Sequence, residues 1–116
     1  MKISTDRERN CPVTATLSVI GGRWKPIIIY TLSNGSKRFG QLAAFIPGIS
    51  RKVLTDQLKE LERDGLVLRE EFKETPPRVE YSLTKKGASL GPVLLAMCEW
   101  GQEHLMNRVI EEKVLG

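Results

Sequence analysis

A tight break at Pro47-Gly48-Ile49, between two helix-forming stretches, constrains the fold of this chain more than any other feature. Before the break, apolar residues at positions 39, 42, 43 and 46 have the i, i+3, i+4, i+7 spacing of a short amphipathic helix. After it, Ser50 is a suitable N-cap for a helix that runs to about Asp64 and ends at Gly65. We therefore predict a helix-turn-helix at about residues 39–64.

The helix predicted after Ser50 has two unlike faces. On a helical wheel, Leu54, Leu58 and Leu61 lie close together. The opposite side is polar and charged, and it carries Lys52, Thr55, Asp56, Lys59 and Arg63. One face is expected to pack against the core, and the other is free to bind a partner.

Two helices are expected before the helix-turn-helix. Pro12 to Ile20 is typical of a first helix, because proline is tolerated in the first turn and Gly21-Gly22 follows as a stop. Pro26 opens a second helix, whose apolar residues cover most of its circumference. We expect this second helix at the centre of the core.

A hairpin and a last helix are expected after the helix-turn-helix. Residues 66–72 and 78–83 resemble strands, and the polar loop between them contains two prolines. Thr84 can cap a long helix over about residues 85–112. The fold class predicted is mostly α with a β-hairpin wing at about residues 66–84, which is a winged helix-turn-helix.

Length and composition restrict the class of protein. With 116 residues, 41% of them hydrophobic and 28% charged, we expect a single domain over residues 1–116 with a true core. This composition excludes disordered and fibrous classes. The longest apolar runs are far shorter than the roughly 20 residues that span a bilayer, and the N-terminus lacks the apolar stretch of a signal peptide. The expected location is the cytoplasm, without a membrane partner.

The cysteines and the histidine do not form the pattern of a metal site, a cofactor site or a catalytic site. Cys11 and Cys98 are too few for a disulfide scaffold, and neither has a second Cys or His at metal-ligand spacing. His104 is the single histidine, and no nucleophile and base stand at a recognisable spacing. An enzyme is therefore not expected.

Positive charge is concentrated in the middle of the sequence. The formal net charge is +4, and from Arg23 to Arg63 eight Lys or Arg residues stand against three acidic ones. A basic segment that contains a helix-turn-helix favours double-stranded DNA as the partner.

Six residues at the start and on the polar side of the longer helix are candidates for contact with the major groove. They are Ser50, Arg51, Lys52, Thr55, Asp56 and Lys59. Arg and Lys can donate to guanine edges or to phosphates, and the alternative is a solvated charged face. Because a carboxylate repels phosphate, we favour for Asp56 an ion pair with Lys52 or Lys59.

Five further residues are candidates outside that helix, namely Ser36, Lys37, Arg38, Lys73 and Arg78. The first three precede the short helix, whose N-terminal dipole suits a phosphate, and the alternative there is an exposed basic turn. The last two flank the prolines of the wing. We expect one or two phosphate contacts in the wing, because its acidic residues offset much of its positive charge.

Several linked motifs resemble one family. They are Cys11-Pro12, Gly22-Arg23-Trp24-Lys25, Arg38-Phe39-Gly40-Gln41-Leu42, Ile46-Pro47-Gly48-Ile49-Ser50, the stretch from Leu54 to Val67, and the stretch from Pro76 to Gly87. Together they closely resemble the HxlR family of bacterial and archaeal transcriptional regulators, from Cys11 to about Gly101. The resemblance implies a homodimeric, sequence-specific winged-helix DNA binder.

The resemblance also implies that the first and last helices of each subunit pack against those of the other subunit. The apolar pattern of the last helix agrees with this arrangement. The interface residues expected are Val13, Leu17, Leu94, Met97, Trp100, Leu105 and Val109. Such a dimer would present two recognition helices roughly 34–36 Å apart, or a multiple of that distance, to an inverted-repeat operator.

The resemblance further implies that the cysteine before the first helix can sense oxidants or electrophiles in some members of the family. For Cys11 two roles stay open. It is a sensor whose thiol pKa is lowered by the helix dipole and Arg9, with an oxidant or small-molecule effector as partner, or it is a small residue that packs at the helix start. Two alternative functions also stay open, a protein-interaction module that does not bind DNA and a thiol-dependent enzyme built around Cys11.

Overall fold

The computed structural model describes residues 11–106, which form helices around a small sheet. In chain order the elements are α1 (Pro12–Ile20), α2 (Lys25–Leu32), β1 (Lys37–Arg38), α3 (Phe39–Phe45), α4 (Arg51–Arg63), β2 (Val67–Phe72), β3 (Arg78–Leu83), α5 (Lys85–Ala88) and α6 (Gly91–Gly101), followed by a π-helical turn (Gln102–Met106). The predicted fold class, mostly α with a β-hairpin wing, is confirmed.

The core is built around α2, as its apolar pattern predicts. Ile28 and Ile29 are fully buried and Leu32 is nearly so. They belong to one cluster of buried apolar side chains with Leu42 of α3 and Leu54 of α4. Burial of each such side chain stabilises the fold by about 1.5–3 kcal/mol. The helix-turn-helix therefore rests on α2.

The tight break between α3 and α4 is a type II turn. The Ile49 N–H donates to the carbonyl oxygen of Ile46 over 3.4 Å, and Gly48 has a φ of +84°. Pro47 and Gly48 occupy the two central positions, where proline and glycine are the preferred residues of this turn. The predicted turn is thereby confirmed together with the helices on each side of it.

The longest helix, α4, has the two faces that its sequence predicts. Leu54, Leu58 and Leu61 are buried, and the Ser50 hydroxyl accepts a hydrogen bond of 3.1 Å from the Val53 N–H. The side-chain cap satisfies one of the donors that a helix start leaves unpaired. These two features set where α4 begins and which side it presents outward.

The sheet has a third strand that the sequence pattern does not predict. The strand order is β1-β3-β2, with both pairs antiparallel. Lys37 and Arg38 of β1 lie opposite Tyr81 and Glu80 of β3. A strand of two residues is too short to show any alternation. The segment before α3 is thereby attached directly to the wing.

The expected last helix is divided, which corrects the prediction of one continuous helix from about residue 85. Thr84 caps α5, because its hydroxyl oxygen accepts from the Gly87 N–H over 3.0 Å, but α5 ends at Ala88 and α6 begins at Gly91. Pro92 explains the break, since it has no N–H to donate to the Ala88 carbonyl and is tolerated in the first turn of a new helix. Residues 107–112 of the expected helix lie outside the described residues.

Helix α5 is joined tightly to the end of α4 and the start of β2. The Thr84 N–H donates to the Leu66 carbonyl over 3.1 Å, and the Thr84 hydroxyl donates to the Gly65 carbonyl over 2.6 Å. A Cβ atom on Gly87 would lie 2.1 Å from the Leu66 carbonyl oxygen, so only glycine fits there. This junction holds the wing in place relative to α4.

Within residues 11–106, no helix has both the length and the apolar character needed to cross a membrane.

Candidate nucleic-acid interface

The outward face of α4 presents two cations without an ion partner among the described residues, Arg51 and Lys59. Both are exposed. The Arg51 guanidinium carbon lies 5.6 Å from the centre of the Phe39 ring, which joins the beginning of α4 to the beginning of α3. The two helix starts therefore lie next to each other.

Lys52 and Asp56 form an ion pair on the same face. Lys52 Nζ lies 2.9 Å from Asp56 Oδ2, and the hydrogen bond to this carboxylate raises the pKa of Lys52. The pairing favoured for Asp56 from the sequence is thus present. Both groups are well exposed, so the pair contributes little to stability, and its effect is to direct the Lys52 side chain along α4.

The two hydroxyl groups predicted on this helix make bonds within it. The Ser50 oxygen accepts from the backbone of α4 as its N-cap, and the Thr55 hydroxyl donates to the Arg51 carbonyl over 2.8 Å. Ser50 retains its proton for donation, and Thr55 retains an acceptor lone pair and its methyl group. Both residues therefore keep a group that can face a base or a phosphate.

The segment before α3 is held by the wing rather than being a free turn. The Ser36 hydroxyl donates to Glu80 Oε1 over 3.0 Å, and the Arg38 N–H donates to Gln41 Oε1 over 2.9 Å. Lys37 Nζ lies 3.5 Å from the Gly35 carbonyl oxygen. The Arg38 side chain is exposed and makes no ion pair with any of residues 11–106.

The two contacts predicted in the wing differ, because Lys73 is exposed and Arg78 is engaged by other residues. Lys73 is exposed at the tip, where the peptide bond between Thr75 and Pro76 is cis. Arg78 Nη2 lies 3.1 Å from Glu74 Oε1, and Nη1 lies 3.2 Å from Glu80 Oε2. The guanidinium also stacks over Phe72 at 4.1 Å. Arg78 is therefore restrained on several sides before it meets any ligand.

The predicted DNA-contact residues thus fall into two groups. Among these predicted residues, the exposed cations without an ion pair in the described part of the chain are Arg38, Arg51, Lys59 and Lys73. Residues already engaged within the protein are Ser36, Lys37, Ser50, Lys52, Thr55, Asp56 and Arg78. The first group supplies available charge, and the second shapes the surface that carries it.

A partly buried ion pair behind α4 was not predicted from the sequence. Lys25, only 7% exposed, extends from the first turn of α2 and places Nζ 2.8 Å from Glu60 Oε1. Gln57 Nε2 lies 3.4 Å from the other oxygen of Glu60. The pair links α2 to α4. An available signal was the lysine beside Trp24 in an otherwise apolar helix, since a charge buried there requires a partner.

Cys11 lies at the N-cap of α1 and is half-buried. Backbone and side-chain donors of Thr14, together with the backbone N–H of Val13, lower the pKa of the Cys11 thiol. Donors at a helix start favour the thiolate, which is the reactive form of cysteine. Arg9, the other group expected to act on this thiol, lies outside the described residues. Cys98 is exposed on α6.

Most of the expected interface residues lie on the outside of this chain. Val13, Leu17, Met97, Trp100 and Leu105 are exposed. The first two lie on α1, and a groove of about 320 Å³ between α1 and α6 is lined by Val13, Leu17, Ile20, Val93 and Met97 together with Pro12 and Thr16.

Two of the expected interface residues, Leu94 and Val109, are not among these exposed side chains. Leu94 is 7% exposed and belongs to the core of its own chain, because it lies on the side of α6 that packs against α2. The prediction that Leu94 lies in the dimer interface is therefore corrected, because its side chain is used inside its own chain. Val109 lies outside the described residues.

Across residues 11–106, no three His, Cys, Asp or Glu side chains are grouped so that they could hold a metal ion.

Comparison with known proteins agrees with this architecture. Residues 19–109 match the family of HxlR-like helix-turn-helix proteins. The uncharacterized HTH-type transcriptional regulator YdeP of Bacillus subtilis (strain 168) is 50% identical over 101 residues, which cover 87% of this chain and 79% of YdeP.

Solved structures are similar over most of their length. The redox regulator HypR in its reduced form is 48% identical, with a TM-score of 0.78 over 88% of this chain and 98% of HypR. The reduced form of the transcriptional regulator YodB from B. subtilis is 41% identical, with a TM-score of 0.73 over 82% of this chain and 94% of YodB. With a family match over most of its length and relatives near half identity, the chain belongs to the HxlR-like helix-turn-helix family of transcriptional regulators.

Proposed function

We propose that this transcriptional regulator binds double-stranded DNA as a homodimer and recognises an inverted-repeat operator through α4. The observation that carries the proposal is the orientation of α4, which buries its leucines, directs Arg51 and Lys59 outward, and places Arg51 beside Phe39 at the start of α3. An α-helix fits the width of the major groove, and exposed Arg and Lys donate to phosphates and guanine edges.

The elements around α4 support the same mode of binding. In a winged helix-turn-helix the preceding helix lies across the DNA backbone, where Arg38 at the start of α3 would meet a phosphate. Lys73 is exposed near the tip of the wing, where it would reach the backbone of a neighbouring groove. Arg38, Arg51, Lys59 and Lys73 are then the main electrostatic contacts.

Fluorescence anisotropy with a labelled duplex from the region upstream of its own gene tests this proposal. Arg51→Ala and Lys59→Ala should each weaken binding, with a salt slope shallower by about 1 for a phosphate contact, or a loss of about 1–3 kcal/mol in discrimination for a base contact. Lys85→Ala on α5 is the matched control and should leave binding unchanged. Unchanged affinity in both α4 variants would instead favour a protein-interaction module of the same fold.

Exposed apolar side chains on α1 and α6 support the homodimer. A small protein rarely leaves several large apolar residues of two neighbouring helices in water unless a partner covers them. We propose that Val13, Leu17, Met97, Trp100 and Leu105 meet the same residues of a second copy around a twofold axis. Leu17→Glu should convert the dimer to a monomer in sedimentation equilibrium. A wild-type protein that is monomeric at micromolar concentration would refute the dimer.

We further propose that Cys11 senses an oxidant or electrophile. The lowered pKa of its thiol and its position at the beginning of α1, among the residues proposed for the interface, support this role. The similarity to HypR, a redox regulator, supports it as well. Diamide treatment should change the DNA affinity of the wild type and leave that of Cys11→Ser unchanged. An equal response of both proteins would assign any sensing to another residue.

A further inference from the structure

Glu80 lies where the segment before α3, the wing and the sheet meet. Its Oε1 accepts the Ser36 hydroxyl at 3.0 Å, and its Oε2 lies 3.2 Å from Arg78 Nη1. In the pairing of β1 with β3, Arg38 lies directly opposite Glu80. One carboxylate therefore contacts or faces three residues that are candidates for DNA contact.

A carboxylate in this place has electrostatic costs. In the sheet, Glu70 of β2 lies directly opposite Glu80, and like charges at opposed positions destabilise a strand pair. Glu80 also adds negative charge beside the surface proposed to meet phosphates. The hydrogen bond from Ser36 and the ion pair with Arg78 offset these costs, since a hydroxyl donor and a nearby cation both stabilise a carboxylate.

We infer that Glu80 is a positioning residue for DNA binding, which holds the Ser36 hydroxyl and the Arg78 guanidinium so that the segment before α3 and the wing engage neighbouring phosphates as one unit. The inference rests on the proposed DNA binding. It assigns a DNA-binding role to an acidic residue that itself makes no contact with the DNA.

The geometry of Arg78 explains how this restraint helps binding. Glu74 and Glu80 each engage one terminal nitrogen, and the Phe72 ring lies against the guanidinium. The Nε–H is buried and has no hydrogen-bond partner among the described residues, but each terminal nitrogen has two N–H donors and faces one carboxylate oxygen, so one donor on each remains for a phosphate. A side chain that is already ordered loses less conformational entropy when it binds, and Arg is suited to this because its fork is rigid.

The sign of a mutational effect separates positioning from simple repulsion. Glu80→Gln and Glu70→Gln each remove one negative charge at opposed positions of the same strand pair, and Glu70 makes no ion pair with any described residue. If both glutamates only repel DNA, both variants bind more tightly. If Glu80 positions Ser36 and Arg78, Glu80→Gln binds more weakly while Glu70→Gln does not.

Anisotropy titrations of the full chain with the upstream duplex, over a range of salt concentrations, measure both effects. We expect Glu80→Gln to weaken binding about tenfold, or about 1.4 kcal/mol, and to reduce the salt slope by about 1, as for one lost phosphate contact. Glu70→Gln should bind as tightly as wild type or more so. Tighter binding by both variants, or unchanged binding by Glu80→Gln, would overturn the inference.

Glu80→Asp keeps the charge but shortens the side chain, so it decides the matter if Glu80→Gln unfolds. Weaker binding by Glu80→Asp supports positioning, because the net charge is unchanged, and wild-type affinity contradicts it. Thermal unfolding of each variant confirms that the proteins compared are folded. If the wild type binds neither the upstream duplex nor a scrambled one, the proposed function itself fails and the inference fails with it. If the wild type binds, the Glu80 variants test the inference alone.

Discussion

The face formed by α4, the segment before α3 and the wing differs from the face formed by α1 and α6 in where the apolar side chains lie. On α4 the leucines point inward, so that Leu58 is 1% exposed, whereas on α1 the exposed fraction of Leu17 is 53%. The first face buries the leucines of α4 within one chain. The second leaves apolar area in water, and a second copy is the covering that we propose.

The largest contrast should appear when the same substitution is made on each face. Leu58→Ala removes buried methyl groups and leaves a cavity, so it should lower the free energy of unfolding by about 2–5 kcal/mol. Leu17→Ala should leave that free energy nearly unchanged at concentrations where the protein is monomeric, but it should raise the dissociation constant of the dimer. Urea unfolding and sedimentation equilibrium measure the two effects. Equal losses of stability would show that the two faces do not differ as described.

A smaller effect is expected from Lys25→Met, which breaks the pair behind α4. Removing one member of a buried pair is costly, but the Glu60 side chain is 38% exposed and can regain water, so we expect a loss of about 1–2 kcal/mol. Because this pair links α4 to α2, the variant should also discriminate less between the upstream duplex and a scrambled one. Lys85→Met, an exposed position on α5, is the control and should change neither quantity.

The turn of the helix-turn-helix should respond with a change of about 1 kcal/mol. Gly48→Ala places a Cβ on a residue with a φ of +84°, and we expect a loss of about 1 kcal/mol in urea unfolding. Gly40→Ala in α3 is the matched control, because its Cβ would meet no atom within 4 Å and its φ is not positive. Alanine is favoured over glycine in a helix, so that control should gain about 0.5–1 kcal/mol.

The smallest effect concerns the pH dependence at Cys11. Because its pKa is lowered in the folded protein, iodoacetamide should react with Cys11 at a lower pH than in the urea-unfolded chain. Ionisation of the thiol then favours the folded state at pH values above the unfolded pKa, and this contribution disappears as the pH falls through the folded pKa. Cys11→Ser gives the background from Cys98. The same pH profile in folded and unfolded protein would contradict the assignment.

Local signals predicted most of the fold. The Ser50 cap, the leucine spacing of α4 and the Pro47-Gly48 turn act within a few residues, so the pattern of the chain reveals them. The division of the last helix was missed even though Pro92 was visible, because the apolar pattern continues past it. The two-residue β1 had no signal, since its pairing partner is far along the chain.

The candidate site was predictable in its residue types and less so in their roles. Arg38, Arg51, Lys59 and Lys73 were expected as contacts, and they are exposed. Arg78 was expected in the same role, yet it is engaged by two glutamates. Which cations are free depends on side-chain partners, and charge along a sequence does not identify those partners.

The sequence by itself determined the helix-turn-helix, the hairpin and the two faces of α4, because helix caps, turn glycines and apolar periodicity depend on neighbours in the chain. Its linked motifs carried the resemblance to the family. Only the tertiary structure decided which distant groups meet. Lys25 reaches Glu60 across 35 positions, and Ser36 reaches Glu80 across 44. The physical reason is that such contacts follow from strand register and helix packing, which the whole core sets together.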